Sequence, residues 1–236
     1  MMVDGPFLVG IAGGSGSGKS ALAAALRDGL RPARVAPLAQ DAYYRDRGGL
    51  PAAARARLDF DQPGAFDLDL FVEHLAALRR GQRVRPPRYC FVTHRRRGYG
   101  EAVGPADIVL VEGLFLFVDA RARELLDLRI YLDAPERVRL ARRLARDVAQ
   151  RGRTEQSVIE QYRRSALPAQ RRYIEPSRAW ADVVLVNAGR LVALAEVAAT
   201  IIRAHRIGGN ETFPPNPPVS RFEQGRAIPP AHGVTA

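Results

Sequence analysis

The chain has 236 residues, 47% of them hydrophobic, and a formal charge of +11. That length suits one large domain and is short for two, and the apolar share is ample for a continuous core. No apolar run approaches the roughly 20 residues that cross a bilayer, residues 1 to 12 lack a basic start with a small-residue cleavage site, and the lone Cys90 excludes an internal disulfide or a Cys cluster for zinc.

In chain order, Phe7 to Ala12 is a short apolar run ending in glycines, as a buried strand would. Ser20 to Leu30 is Ala/Leu-rich and closes near Gly29 and Pro32, which predicts a helix. Val35 to Leu38 predicts a second strand, ending just before Gln40 and Asp41. Leu68, Phe71, Val72, Leu75 and Leu78 follow helical spacing, with Asp67 placed as a cap and Gly81 as a stop. Ile108 to Val111 and Leu128 to Leu132 predict further buried strands. Pro135 to Gln150 and Thr154 to Tyr173 predict Arg-rich helices, Val183 to Val186 a last strand, and Leu191 to His205 a last helix. Strands that are continuously apolar and alternate with helices imply an α/β fold, a parallel sheet with helices on both faces. From Gly208 onward Pro and Gly dominate without periodicity. The expected organisation is one domain over 1–207 and a disordered tail over 208–236.

Gly13-Gly14-Ser15-Gly16-Ser17-Gly18-Lys19-Ser20 fits the phosphate-loop pattern G-x-x-x-x-G-K-[ST] at every fixed position. The glycines let backbone N–H groups turn inward around phosphate oxygens, and the following helix aims its positive end at the same anion. Lys19 is expected to bridge the β- and γ-phosphates of a nucleoside triphosphate, with the Ser20 hydroxyl on Mg²⁺. Every other basic residue of the Lys/Arg type is Arg. A chain that keeps its single Lys in this loop needs a compact ammonium there, because a planar guanidinium changes the geometry.

Glu112 follows the run Ile108 to Val111, at the strand edge where open α/β sheets bind ligands, and is the second expected oxygen ligand of the metal. Asp41 follows another short strand at the same edge, where a carboxylate can accept the proton of an attacking hydroxyl.

The constellation resembles the uridine kinase (uridine–cytidine kinase) family of P-loop kinases. It comprises the phosphate loop, Gln40-Asp41-x-Tyr43-Tyr44, Phe60-Asp61-x-Pro63-x-Ala65-Phe66-Asp67, Tyr89-x-Phe91-Val92-x-His94 and Val111-Glu112-Gly113. Arg142-Arg143-x-x-Arg146-Asp147, Arg151-Gly152-Arg153, Gln161-Tyr162 and Glu175-Pro176-Ser177 with Ala181-Asp182 continue it in order, over about residues 7 to 190. The resemblance implies a P-loop NTPase-type sheet with a helical Arg-rich lid and a small acceptor-binding insertion. It implies phosphorylation of the 5′-hydroxyl of uridine or cytidine by ATP or GTP, in pyrimidine salvage, by a cytoplasmic enzyme that commonly forms tetramers. It makes Asp41 the general base, and Asp61 and Arg143, with Asp41, the holders of the ribose hydroxyls. Tyr89 and His94 become base-recognition residues with Phe91 packing nearby and Tyr44 on the same substrate side. Arg153 and Gln161 become contacts to the pyrimidine edge, and Arg146 and Arg151 parts of a lid over the phosphates.

Helical spacing puts Arg142 and Arg146 on one side and Arg143 on another, so the three cannot share one role. The sequence departs from the family at Cys90, usually Asp, and at Gln62 and Gly64, usually His and Asp. These positions are expected to flank the acceptor pocket and to bear on acceptor choice. Two other readings compete. The run Arg95-Arg96-Arg97 would suit an acceptor phosphate in a phosphoribulokinase-like sugar-phosphate kinase. The net charge would suit a non-catalytic nucleotide-binding module acting on RNA; scattered arginines are more simply a solvated helix face, so neither nucleic acid nor membrane is an expected partner.

Overall fold

The structure, a computed structural model, describes residues 5–208. The expected tail therefore lies outside the described residues apart from its first position. A five-stranded parallel sheet runs through β1 (Phe7–Ala12), β2 (Val35–Ala39), β5 (Ile108–Gly113), β6 (Leu128–Asp133) and β7 (Val183–Val186), in the order β2-β5-β1-β6-β7. A two-stranded antiparallel hairpin, β3 (Pro87–Cys90) with β4 (Arg95–Tyr99), stands apart from it.

The strands bury both faces, which is why they read as unbroken apolar runs. Leu8, Ala12, Val109, Val111 and Tyr131 pack on one face with Phe71, Leu75 and Leu78 of α3 (Leu68–Arg79). Val9, Ile11, Ile108, Leu110, Ile130 and Leu132 pack on the other. There they meet Leu22 and Leu26 of α1 (Lys19–Gly29) and Ala198 and Ile202 of α9 (Leu191–Gly208). Short helices α2 (Ala52–Ala56) and α4 (Ala120–Glu124) fill connections.

All the expected strands and long helices are present, with ends shifted by a residue or a few, and two differences are physical. The helix expected from Thr154 to Tyr173 becomes a helical run of α6 (Glu155–Gln161), α7 (Leu167–Ala169) and α8 (Glu175–Ser177), joined by π turns at Tyr162–Ala166 and Gln170–Ile174. Pro168 and Pro176 would clash with the carbonyls four residues back, at Arg164 and Arg172. Both lie inside the widened turns, which lets the run continue through the prolines. Asp67 occupies the position before α3, as expected of a cap, but its side chain makes no capping bond. Its carboxylate instead accepts from Arg96 Nη2 at 3.1 Å, while the same guanidinium donates to the carbonyls of Tyr43 and Tyr44. Arg96 thereby fastens the hairpin to the segment after β2.

Candidate active site

The phosphate loop leaves β1 and enters α1 at Gly18. Gly13 and Gly16 have φ of 148° and 80°, and a Cβ at either would run into backbone carbonyls, of Leu132 and Arg139 respectively. Only glycine fits both the dihedral and the space. Lys19 folds back over the loop and donates to the carbonyls of Gly13 at 2.9 Å and Gly14 at 3.1 Å. Burial lowers its pKa, against the opposing pull of Glu112 and Asp41. Ser17 is fully buried: its N–H is committed to the Gly14 carbonyl and its own carbonyl to Asn187 Nδ2 and Arg142 Nη1. Of the loop, Ser15, Gly16, Gly18, Lys19 and Ser20 line a cavity of about 580 Å³, whereas Gly13, Gly14 and Ser17 do not.

Strand register converges the acids on that cavity. Glu112 pairs with Ile11 of β1 on one side and with Ala39 of β2 on the other, so it sits between the loop and Asp41, two residues past Ala39. Asp41 lies in a 3-10 turn, Gln40–Tyr43, whose buried Gln40 accepts from Phe115 N at 2.9 Å. A Cβ at Gly113 would collide with the Gln40 side chain, so the missing side chain at 113 lets these segments approach. Ser20 Oγ donates to Glu112 Oε1 at 2.7 Å. Burial raises the Glu112 pKa, with Lys19 opposing. These two hard oxygens suit Mg²⁺, which binds through one or two protein oxygens plus substrate phosphates and waters. No cluster of three or more His, Cys, Asp or Glu residues that would cage a metal occurs among the described residues.

The far half of the cavity is aromatic. Tyr44, Tyr89, Phe91 and His94 line it together with Phe60. Tyr44 and Tyr89 ring centroids are 5.0 Å apart, and Phe60 stacks on His94 at 4.2 Å with planes 10° apart. His94 ends the hairpin turn with φ of 53°, a left-handed conformation that turns its ring back toward the hairpin, where Nδ1 lies 3.4 Å from Tyr89 Oη. Burial first, then Arg153, Arg151 and Arg55, lower the His94 pKa, which favours the neutral ring. Burial raises the Tyr44 pKa.

Asp61 joins the halves. Its side chain is 9% exposed and accepts from Ser165 Oγ at 2.7 Å and Gln161 Nε2 at 3.1 Å, with Arg143 Nη1 at 3.4 Å. Arg153 donates to Gln161 Oε1, so these two residues engage each other as well as the cavity. Arg146 and Arg151 come from α5 (Glu136–Arg151) and line the same cavity, and the Arg151 guanidinium lies 4.0 Å from the centre of the Phe91 ring, at the aromatic half. Burial, then Arg146, lower the Arg151 pKa.

Every acceptor-side residue expected from the sequence therefore lines one cavity. The three arginines do not all share one partner, as spacing implied, since Arg142 reaches the Ser17 carbonyl behind the loop while Arg143 reaches Asp61. But Arg146, expected on the side of Arg142, meets Asp147 together with Arg143. Cys90, Gln62 and Gly64, expected to flank the acceptor pocket, do not themselves line the cavity: Cys90 pairs with Arg95 in the hairpin, Gln62 donates to the Asp59 carbonyl, and Gly64 faces open space. Residues the sequence did not single out are Phe60, Ser165, Asn187 and the buried Asp147. Phe60 and Asp147 carried a signal, each as a member of a quoted motif, beside Asp61 and Arg146 respectively.

The sequence profile of the phosphoribulokinase / uridine kinase family matches residues 8–193. A uridine kinase of Halalkalibacterium halodurans is 38% identical over 199 residues, covering 84% of this chain and 94% of that one. A uridine kinase of Clostridium botulinum (strain Kyoto) is 41% identical over 184 residues, covering 78% and 89%. The crystal structure of phosphoribulokinase from Rhodobacter spheroides shares the fold, with a TM-score of 0.55 at 17% identity over 80% of this chain and 74% of that one.

Proposed function

The chain belongs to the phosphoribulokinase / uridine kinase family of phosphotransferases, and on that premise we propose that it transfers the γ-phosphoryl group of ATP to the 5′-hydroxyl of uridine or cytidine, giving the nucleoside monophosphate and ADP. The observation that carries the reading is the one cavity that joins a phosphate loop, three carboxylates and an aromatic recess.

In this scheme the loop amides and Lys19 grip the β- and γ-phosphates, displacing the contacts that Lys19 makes to Gly13 and Gly14. Mg²⁺, held by Ser20 with Glu112 beside it, would neutralise charge on the phosphate oxygens. Asp41 accepts the proton of the 5′-hydroxyl as that oxygen attacks in line. Asp61, steadied by Arg143, accepts hydrogen bonds from the vicinal ribose hydroxyls. The base lies against Tyr89 and Phe91, with His94, Arg153 and Gln161 as directional partners for its polar edge and Tyr44 forming the wall. Arg146 and Arg151 stabilise charge on the group in transit and shield it from water.

The sugar-phosphate reading loses its residues. Arg96 is committed to Asp67 and two carbonyls, Arg95 lies 4.0 Å from Asp46, and none of Arg95, Arg96 and Arg97 lines the cavity. The test is Asp41→Asn. It is expected to leave triphosphate binding nearly intact and to lower turnover by about 10²–10⁴-fold. An unchanged turnover number removes Asp41 from the mechanism, and salt-dependent RNA binding without turnover in the parent would favour a non-catalytic module.

A further inference from the structure

One fully buried acid has no part in the scheme above. Asp147 lies on α5 among arginines, where sequence spacing alone reads as an ordinary helix-face ion pair. Its Oδ1 accepts from Nε of Arg146 at 2.8 Å, lies 2.8 Å from Nη2 of the same guanidinium, and lies 3.4 Å from Arg151 Nη1. Its Oδ2 faces Arg143 Nε at 3.6 Å, and these two atoms are buried without any other hydrogen-bond partner. A shift of a few tenths of an ångström would satisfy both at once. Its backbone carbonyl accepts from Gly152 N, in the left-handed turn that ends α5, and from Arg153 N at 3.3 Å. One residue thus touches three cavity arginines through its carboxylate and fixes, through its carbonyl, the turn from which Arg151 and Arg153 depart.

We infer that Asp147 is a positioning residue that gathers Arg143, Arg146 and Arg151 into one receptor for the phosphoryl group in transit; the inference rests on the phosphotransferase reading above. Three guanidiniums crowded at one cavity wall repel each other, and burial already lowers the Arg151 pKa. A single carboxylate behind them offsets that repulsion and leaves a cationic excess facing the cavity. By holding Arg146 along its Nε and Nη2 edge, it leaves the Nη1 donors of that side chain for an anion. Arg143 is shared between Asp147 and Asp61, so the same carboxylate ties the phosphate half of the cavity to the ribose half.

The test compares Asp147→Asn and Asp147→Glu, each alone and combined with Arg146→Gln, measuring kcat, the KM for uridine and thermal melting. Asp147→Asn is expected to lower kcat about 10–100-fold while moving the uridine KM by less than about threefold. Because it acts through the arginines, it should lower kcat by less than about threefold further once Arg146→Gln is present. Asp147→Glu should regain part of the lost turnover. A purely structural role predicts a lower melting temperature with kcat unchanged, or kcat losses that multiply fully in the double variant; either result overturns the inference. If the asparagine variant does not fold, the glutamate variant, which keeps the charge, carries the same comparison. If the parent ignores uridine and cytidine, the acceptor reading fails by itself. The melting shift caused by Mg·ATP then decides for Asp147: a smaller shift in Asp147→Asn supports the receptor, and an equal one refutes it.

Discussion

Removing the carboxylate of Asp61 should unsettle both the fold and the acceptor site, by amounts that follow from its surroundings. Arg143 and Asp61 are 5% and 9% exposed at their side chains and 3.4 Å apart. With an effective dielectric of about 20, that separation gives an attraction of about 5 kcal/mol. Much of it offsets desolvation, so the useful quantity is the effect of removing one partner, which is about 3–5 kcal/mol for a buried pair. Asp147, 3.6 Å from the same guanidinium, softens the loss, which places Asp61→Ala near the lower end, at about 3 kcal/mol. For a domain of this size that lowers the melting temperature by about 6–12 °C. Asp61→Asn keeps an acceptor for Ser165 and should lose about 1–2 kcal/mol. Differential scanning calorimetry measures both, and uridine titration of the folded fraction should show affinity reduced at least about tenfold in either variant. A melting temperature for Asp61→Ala within about 2 °C of the parent would refute the buried-pair reasoning.

Lys19→Arg should lower turnover by about 10²–10³-fold, because the loop closes around a compact ammonium whose bonds to Gly13 and Gly14 a guanidinium cannot reproduce; steady-state kinetics checks it. His94 has a folded pKa below its unfolded value of about 6.5, so its contribution to stability is present above that pH and is lost as pH falls toward the folded pKa. Denaturant midpoints from pH 7.5 down to 5 should therefore fall more steeply for the parent than for His94→Gln, and identical slopes would contradict this. The neighbouring Thr93 pulls the Cys90 thiol down to about 7. The rate of iodoacetamide labelling should rise through that pH, and labelling kinetics with a midpoint near 9 would contradict it.

The sheet was legible because strands buried on both faces carry no polar alternation, and the phosphate loop because its glycine positions follow from backbone geometry. Asp41 and Glu112 were legible as strand-end acids. Their meeting depends on the registers of β5 with β1 and β2, which no local pattern encodes. The hairpin was not legible: Arg95 to Tyr99 has no apolar face, and what holds it is Arg96 reaching Asp67 and the Tyr43 and Tyr44 carbonyls, all distant in sequence. The same long-range bond turned Asp67 from a helix cap into an ion-pair partner. Ser165 was hidden because its hydroxyl reaches Asp61 from a π turn. Family resemblance supplied the acceptor roles; the departures it flagged at Cys90, Gln62 and Gly64 lie close in sequence to Tyr89 and Asp61 without lining the cavity themselves.

An acceptor series with Mg·ATP, read by ADP release and by phosphorus NMR of the product, tests the central claim most directly. Uridine and cytidine should each give a monophosphate with its phosphorus coupled to the 5′ protons, while 5′-deoxyuridine should give none. Turnover with ribulose 5-phosphate and silence with both nucleosides would contradict the account.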